Sequence, residues 1–230
     1  MDLARTRLHF VLGSKEPASP VSVDRTGQIP EADLKPGFLL AAFNGGFKAN
    51  QGQFGAMVYG LEVLPPRPGL GVIGMYADGQ VRIGAWGSEI TPSPQLITWR
   101  QNGPLIIQAG EINPRTADFD PQTWGYAVRG STATWRSGVG ISSDRRTLFY
   151  AAGPDLTLPA LAASLQAAGS YQALQLDIND YWVHFDAFRA AGAGLQPVCL
   201  LDEMKSMDDL RYLTGFSRDF FYLTLVSQPY

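Results

Sequence analysis

The chain has 230 residues, enough to bury a sizeable core in one large domain. It is 45% hydrophobic and 17% charged and contains 25 Gly and 16 Pro, which excludes a disordered chain and disfavours a helical bundle. The net charge of −3, without any block of Lys and Arg, disfavours a nucleic-acid partner. We therefore expect one turn-rich domain over residues 1–230, built from many short strands.

Residues 1–36 are predicted to contain the first strand and a connection. Arg5–Leu12 alternates in polarity as a half-buried strand does, and Gly13–Pro36 is rich in Pro, Asp and Gly. His9 lies in this strand and is interpreted as structural, since the sequence has no His-rich metal spacing. Cys199 is the single cysteine and lies in an apolar run, so it is interpreted as a small buried hydrophobic residue.

A short apolar run, Phe38–Phe43, is predicted to be a buried strand that ends abruptly at two glycines. One interpretation of Asn44, Gly45 and Gly46 is a plain hairpin turn in which the glycines permit positive φ. The other is a nest of backbone N–H groups that holds an anionic oxygen, with the Asn44 amide and the Lys48 ammonium nearby. The glycine-rich continuation favours the second interpretation.

The middle of the chain contains a hairpin and a donor-rich loop. Alternation over residues 71–86, with Asp78–Gly79 at the turn, predicts a hairpin to which we assign no chemistry. Arg100 and Asn102 then precede the predicted strand Leu105–Gln108. They offer many hydrogen-bond donors and are candidate ligand-binding residues, although loops often carry such residues without a site.

An arginine beside a tryptophan marks the next candidate site. Trp135 and Arg136 stand within Ser131–Ser142, just before a glycine-interrupted strand. An isolated Arg is normally solvated. In a chain with few charges, an Arg set among Trp and Gly favours a clamp that holds phosphate or carboxylate through two hydrogen bonds.

The clearest predicted helix begins after Thr157, which can act as its cap, and ends at Gly169. Pro159 lies in its first turn, and its apolar residues recur at helical spacing. Further along, Ser206–Asp209 is typical of the capped start of a brief helix, and Phe220–Val226 is predicted to be the last strand.

The strand that follows the long helix carries a carboxylate among apolar residues. Asp177 lies within Tyr171–Phe185, and Asn179 and Asp180 follow it at once. A carboxylate on a buried strand is costly unless it is paired or used. A structural Asp in a turn is one interpretation. Because aromatic residues follow, polar groups meet stacking surfaces at a strand end, which favours a small-ligand site.

Three motifs in this order resemble the phosphodiester glycosidase family, in a bacterial branch. They are Asn44-Gly45-Gly46-Phe47, Trp135 to Gly140, and Leu176-Asp177-Ile178-Asn179. The late segment Ser217-Arg218-Asp219-Phe220-Phe221 is similar to that branch as well. Many members carry Leu-Asp-Gly-Gly-Gly where this chain has Ile178, Asn179 and Asp180 after Asp177, so side chains occupy space that glycines leave open to a ligand.

The resemblance implies a fold and an activity. The expected fold is α+β, a single domain with a mixed, mostly antiparallel sheet assembly and few helices. The expected activity is hydrolysis of the bond between the anomeric carbon of a sugar and a phosphodiester oxygen. Asp177 is expected to act as base or nucleophile. Asn44 is expected to orient sugar hydroxyls or Asp177 itself, and Arg136 is expected to hold the phosphate. The expected substrate-binding residues are Gly45, Gly46, Lys48, Arg100, Asn102, Trp135, Asn179 and Asp180.

The resemblance leaves two alternatives open. One is a non-catalytic module of the same fold that binds a glycan or a sugar phosphate. The other is a metal-dependent variant, because Asp177, Asn179 and Asp180 offer oxygen ligands to a hard cation, at a spacing too short to identify a site. No cofactor or metal is predicted.

The expected partner is a cell-envelope or exopolysaccharide glycan that carries a phosphodiester. No run of eighteen apolar residues occurs, so no membrane segment is predicted in this chain. The expected location is extracellular or tethered at the cell surface, with a signal or anchor absent from the sequence given.

Overall fold

The computed structural model describes residues 1–118, 120–127, 130–192, 194–206 and 210–226. For residues 205 and 206 it describes the backbone alone. Within these ranges the chain forms fifteen strands and three short α-helices. The strands are β1 Thr6–Val11, β2 Leu39–Asn44, β3 Ala56–Val58, β4 Leu61–Leu64, β5 Gly71–Tyr76, β6 Val81–Ala85, β7 Leu96–Gln101, β8 Leu105–Gln108, β9 Glu111–Ile112, β10 Thr134–Ile141, β11 Leu148–Leu156, β12 Gln172–Ile178, β13 Phe185–Ala191, β14 Gly194–Cys199 and β15 Phe220–Leu225. The α-helices are α1 Pro121–Trp124, α2 Leu158–Ala167 and α3 Arg211–Thr214, and the 3-10 helices are Glu31–Asp33, Ala49–Gln51, Pro114–Ala117 and Asp202–Ser206.

The strands form three five-stranded sheets. The first has the order β1-β15-β2-β13-β14, the second β11-β10-β12-β8-β9 and the third β4-β3-β7-β5-β6. All the pairings between these strands are antiparallel. The mostly antiparallel, helix-poor fold expected from the sequence is confirmed. None of the helices in the described ranges has the length and apolar character needed to cross a membrane.

Local sequence signals account for the hairpin and the long helix. The β5–β6 turn has Gly79 at φ 86°, and the Asp78 side chain accepts a hydrogen bond from the Gln80 N–H. In α2, the Thr157 hydroxyl accepts from the Ala160 N–H, and the chain leaves the helix through Gly169 at φ 101°. Both elements match their predictions.

The predicted strands are present with small changes of boundary. The last strand, β15, ends at Leu225, one residue before the predicted Val226. The brief helix predicted at Ser206–Asp209 falls largely on residues 207–209, which lie outside the described residues. A 3-10 helix, Asp202–Ser206, precedes them.

The largest core cluster lies where the three sheets face one another. Its buried residues include Phe43 and Phe221 from the first sheet, Leu174 and Leu176 from the second, and Ile73 from the third. Burial of apolar surface from all three sheets holds the layers together. A second layer forms where α2 packs on the second sheet.

Gly45 lies where the chain leaves the first sheet, and the plain hairpin turn, the less favoured of the two interpretations, does not form. β2 pairs with β13 and β15, while the next strand, β3, belongs to the third sheet. Neither Gly45 nor Gly46 has positive φ, so the hairpin interpretation, in which the glycines permit positive φ, is wrong. The Gly45 N–H donates to the Asp219 carbonyl at 3.0 Å, and the Asp177 N–H donates to the Gly45 carbonyl at 3.0 Å. This close approach is the physical reason for a glycine.

We expect Gly45→Ala to destabilise the fold. A Cβ at Gly45 would lie 2.7 Å from the Asp219 carbonyl oxygen, which is backbone that cannot move aside easily. We expect a loss of about 1–3 kcal/mol in the free energy of unfolding, measured by urea denaturation. The control is Gly194→Ala on exposed β14, where the nearest atom to the new Cβ is 3.7 Å away, with an expected change under about 0.5 kcal/mol. Equal effects of the two changes would contradict the account.

Candidate functional site

Asp177 lies near the end of β12, where the pairing with β10 is irregular. The register shifts between Arg136 and Gly138, so three steps on β12 lie opposite two on β10. The Asp177 side chain is buried, and its Oδ2 forms an ion pair with the Arg218 guanidinium. Its Oδ1 accepts from the Ile178 N–H at 2.9 Å. From the sequence we expect this carboxylate to need a partner. Arg218, which precedes β15 of the first sheet, is that partner.

Arg218 is the functional residue to which the sequence analysis assigned no role. It precedes β15, is buried, and donates to the Asp177 carboxylate and, at 3.0 Å, to the Gly46 carbonyl. Its guanidinium carbon lies 4.5 Å from the centroid of the Trp182 ring, a cation–π contact. Its Nε is buried without a hydrogen-bond partner. The only sequence signal was the resemblance of the Ser217–Phe221 segment.

Burial controls the charge of Asp177. Desolvation raises the pKa of Asp177 to about 7, although the Arg218 guanidinium and the Ile178 N–H both lower it. The nearby Asp219 carboxylate adds a smaller upward shift. A carboxyl group with such a pKa gains and loses a proton near neutral pH, as a general base must.

Asn44 lies at the end of β2 and reaches Asp177 through Ser137. Its Nδ2 donates to the Ser137 hydroxyl at 2.9 Å, and that hydroxyl donates to the Asp177 carbonyl at 2.8 Å. The Asn44 Oδ1 accepts from the Tyr150 hydroxyl at 2.8 Å and from the His184 N–H at 3.3 Å. Because all of its polar atoms are engaged within the protein, Asn44 positions the backbone of Asp177.

Arg100 and Asn102 shape the wall of the site at the end of β7. Arg100 forms an ion pair with Asp219 and donates to the Phe47 carbonyl at 2.7 Å. The Asn102 side chain accepts from the Phe47 N–H at 3.2 Å and donates to the Gln175 carbonyl at 2.6 Å. Both are almost fully buried. Their donors hold backbone in place, in contrast to the expected contact with substrate.

Gly46 and Lys48 lie on the same segment, with Trp182 above it. A Cβ on Gly46 would come within 3.2 Å of the Arg100 guanidinium, so the glycine allows this packing. The half-buried Lys48 has its ammonium 5.1 Å from the centroid of the Trp182 ring. Lys48 and Arg218 thus both contact one indole, and Arg218 also pairs with the Asp177 carboxylate. This local positive charge suits an anionic ligand.

The Arg136 guanidinium bonds to other groups than Asp177, although both residues are expected from the sequence to act on one phosphodiester. Its three nitrogens donate to the Leu156 carbonyl at 3.0 Å, to Gln175 Oε1 at 2.7 Å and to the Thr132 carbonyl at 3.0 Å. Burial lowers the pKa of Arg136 to about 10. Arg136 lines a separate cavity of about 260 Å³ at the start of α2. The guanidinium is engaged by the protein, which is the arrangement of a structural residue.

Trp135, Asn179 and Asp180 have different surroundings from one another. The Asn179 N–H donates to the carbonyl of the half-buried Trp135 at 2.8 Å, and Asn179 adopts φ 76°. Asn tolerates this left-handed conformation better than most residues, which explains how it replaces a glycine of the family pattern. Asp180 is exposed, and its Oδ1 accepts from the Tyr181 N–H. Of the three oxygen ligands considered for a hard cation, Asp177 is thus paired with Arg218, whereas Asp180 is exposed.

Comparison with known proteins was carried out by sequence family and by structure. Residues 38–177 match the phosphodiester glycosidase family. No curated protein matches the sequence. The catalytic domain of zebrafish N-acetylglucosamine-1-phosphodiester alpha-N-acetylglucosaminidase, auto-inhibited by its pro-peptide, is similar in structure, with 15% identity and a TM-score of 0.57 over 98% of this chain and 74% of that one. A hypothetical protein from Synechocystis is similar too, with 12% identity and a TM-score of 0.51 over 96% of this chain and 57% of that one. Both likenesses show the fold.

We expect Arg136→Met to destabilise the protein. The change leaves the buried Gln175 Oε1 and the carbonyls of Leu156 and Thr132 without their donor, so the free energy of unfolding should fall by roughly 2–4 kcal/mol in urea denaturation. Arg146→Met, at an exposed arginine, is the control and should change it by less than about 0.5 kcal/mol. A stable Arg136→Met protein that has lost phosphodiester binding would restore the clamp role predicted from the sequence.

We expect Asp177 to make stability depend on pH. Its pKa is about 7 when folded and near its ordinary value of 3.8 when unfolded, so the folded state keeps a proton that the unfolded state releases. The stabilisation is fully present below about pH 4 and is lost as the pH rises to about 7, at up to about 1.4 kcal/mol per unit. Urea denaturation across pH measures it as the difference between the protein and Asp177→Asn. The same difference for Asp24→Asn, at an exposed carboxylate, is the control. This difference, the free energy of unfolding of the protein minus that of Asp177→Asn, should fall from about pH 4 to about pH 7. A difference that rises over this range would contradict the raised pKa of Asp177.

Proposed function

The chain belongs to the phosphodiester glycosidase family, and we propose that it hydrolyses the bond between the anomeric carbon of a sugar and the oxygen of a phosphodiester. One observation carries this proposal: the buried Asp177–Arg218 ion pair lies directly beside Trp182, which a second cation, Lys48, also contacts. A base, an anion-binding fork and a stacking surface are thereby placed together. These are the three groups that this reaction needs.

On this proposal, Arg218 holds the phosphodiester. A guanidinium has five N–H donors, and Arg218 uses one nitrogen on Asp177 and Gly46 while its Nε has no partner. A phosphodiester oxygen at the Nε would satisfy this buried donor. Lys48 adds a second positive charge beside the same indole. The phosphate-holding role proposed from the sequence for Arg136 thus passes to Arg218, while Lys48 keeps it.

Asp177 is proposed to act as the general base. It takes a proton from a water molecule as the water oxygen bonds to the anomeric carbon. The bond from that carbon to the phosphodiester oxygen breaks as the new bond forms, and the phosphate leaves with the electron pair. Phosphate is a good leaving group, so one carboxyl group with a pKa of about 7 suffices for proton transfer at this step. Arg218 stabilises the charge that develops on the phosphate.

The sugar is proposed to stack on the aromatic residues above the ion pair. Trp182 is half-buried, and Tyr181 beside it is half exposed and meets it edge-to-face at 4.5 Å between ring centroids. Aromatic faces of this kind bind the apolar faces of sugars. We propose that the substrate is a glycan of the cell envelope or an exopolysaccharide that carries the phosphodiester. The protein would then act outside the cell or at its surface.

We expect Asp177→Asn and Arg218→Lys to abolish most of the hydrolysis of an α-linked sugar-1-phosphodiester. Removing the base should lower the rate by a factor of about 10² to 10⁴, and replacing the guanidinium fork with a point charge should lower it by about 10². Sugar release is measured per mole of folded protein. Asp24→Asn and Arg146→Lys, at exposed positions, are the matched controls and should keep full activity.

Two outcomes would count against the proposed reaction. An Asp177→Asn protein that keeps its activity per folded molecule would show that Asp177 is not the base. Binding of the sugar-1-phosphodiester without turnover, lost in Arg218→Lys, would instead establish the non-catalytic binding module. Isothermal titration calorimetry on the same samples separates binding from turnover.

A further inference from the structure

Three potential metal ligands meet on the first sheet, away from the Asp177 carboxylate. Asp186 and Cys199 lie directly opposite each other in the β13–β14 pairing, and His184 lies two residues before Asp186. His184 Nε2 is 3.0 Å from Asp186 Oδ2, and the Cys199 sulfur is 3.4 Å from Asp186 Oδ1. One donor atom from each residue lies within 4.8 Å of those from the other two. The cross-strand pairing of Asp186 with Cys199 and the two-residue spacing of His184 and Asp186 therefore bring the three side chains into one cluster.

The Asp186 carboxylate is buried without a strong cation beside it. It is 0% exposed, as is His184, and its side-chain partners in the described structure are His184 and Cys199. A buried carboxylate is costly unless positive charge compensates it. His184 Nδ1 is also buried and has no hydrogen-bond partner, so a single hydrogen bond fixes this ring. Within the described residues no Lys or Arg pairs with Asp186, and His184 lacks one hydrogen-bond partner.

The spacing of the donors suits a tetrahedral ion. Zinc bonds to imidazole and carboxylate are about 2.0–2.1 Å long and those to thiolate about 2.3 Å, so the ligand atoms of a tetrahedral site lie roughly 3.3–3.6 Å apart. The distance from His184 Nε2 to Asp186 Oδ2 is 3.0 Å and that from the Cys199 sulfur to Asp186 Oδ1 is 3.4 Å, and the three donor atoms lie within 4.8 Å of one another, so a bound ion would draw them slightly together. A nitrogen, an oxygen and a sulfur donor together favour zinc-like ions over Mg²⁺ or Ca²⁺, which prefer oxygen alone.

We propose that His184, Asp186 and Cys199 bind a divalent transition-metal ion of the zinc type, with water as the fourth ligand. Binding releases the thiol proton of Cys199 and replaces the hydrogen bonds to Asp186 with bonds to the metal. This corrects the sequence interpretation of Cys199 as a buried hydrophobic residue, because it is half-buried and contacts a carboxylate. The H-x-D spacing and the distant cysteine gave no recognised metal motif.

The proposed ion would also fix the position of Asn44. The His184 N–H donates to Asn44 Oδ1 at 3.3 Å, and the His184 carbonyl accepts from the Asn44 N–H at 3.0 Å. The Tyr212 hydroxyl donates to the same carbonyl at 3.2 Å. A bound ion would therefore clamp β13 to β14 on one side and hold the residue that positions Asp177 on the other. The role is structural and does not depend on the proposed hydrolysis.

The test is a metal titration of the full chain after treatment with a chelator. We expect one equivalent of Co²⁺ to give the absorption of a tetrahedral ion with a thiolate-to-cobalt charge-transfer band, and Zn²⁺ to displace it. Cys199→Ser should lose the charge-transfer band, and His184→Gln should weaken binding at least about tenfold. His9→Gln, at the other histidine, which contacts Thr224 and stacks on Tyr222, should leave both unchanged.

A second measurement keeps the test decisive if His184→Gln does not fold. Cys199 is half-buried, so iodoacetamide can modify it, and bound Zn²⁺ should slow this reaction at least about tenfold because the thiolate is a ligand. The proposal is overturned by an absence of stoichiometric binding, by a cobalt spectrum that persists in Cys199→Ser, or by alkylation at the same rate with and without Zn²⁺. None of these readouts uses hydrolysis, so they stand apart from the proposed function.

Discussion

The buried ion pair between Asp177 and Arg218 is the interaction on which the site depends. Each charge is costly in the core, and each compensates the other. Desolvation nevertheless dominates at Asp177 and raises its pKa to about 7, so the carboxyl group is held near the point of proton exchange. Arg218 keeps an unpartnered Nε for an anion. A purely structural ion pair, with a fully compensated carboxylate and every guanidinium donor bonded, would have neither a raised carboxyl pKa nor an unpartnered donor.

The three sheets meet at this pair, and the close packing of backbone makes that possible. Gly45 bridges Asp177 and Asp219 through two backbone hydrogen bonds, one from each side. The Arg100–Asp219 ion pair holds the residue next to Arg218, while Asn44 acts on Asp177 through Ser137. The polar groups at the strand ends thus form one connected network. A connected network of this kind restricts the arrangement of its members, so it holds Asp177 and Arg218 in place.

Local signals in the sequence predicted much of the fold but only part of the site. The hairpin over residues 71–86 and the helix capped by Thr157 follow from short-range patterns, as does the burial of Asp177. The sheet face on which the Arg136 side chain lies depends on the register shift between β10 and β12. The periodicity of the sequence does not reveal that shift. Arg218 lies 41 residues from Asp177 and pairs with it across sheets, so no spacing marks the pair. The cluster around Asp186 forms only when two strands pair.

The most direct test of the central claim is a crystal structure with a non-hydrolysable phosphonate analogue of a sugar-1-phosphodiester. The account predicts that the phosphonate lies within hydrogen-bond distance of Arg218 Nε, with the anomeric carbon facing Asp177 and the sugar against Trp182. A phosphonate bound instead in the cavity beside Arg136, with Arg218 still paired only to Asp177 and Gly46, would contradict it.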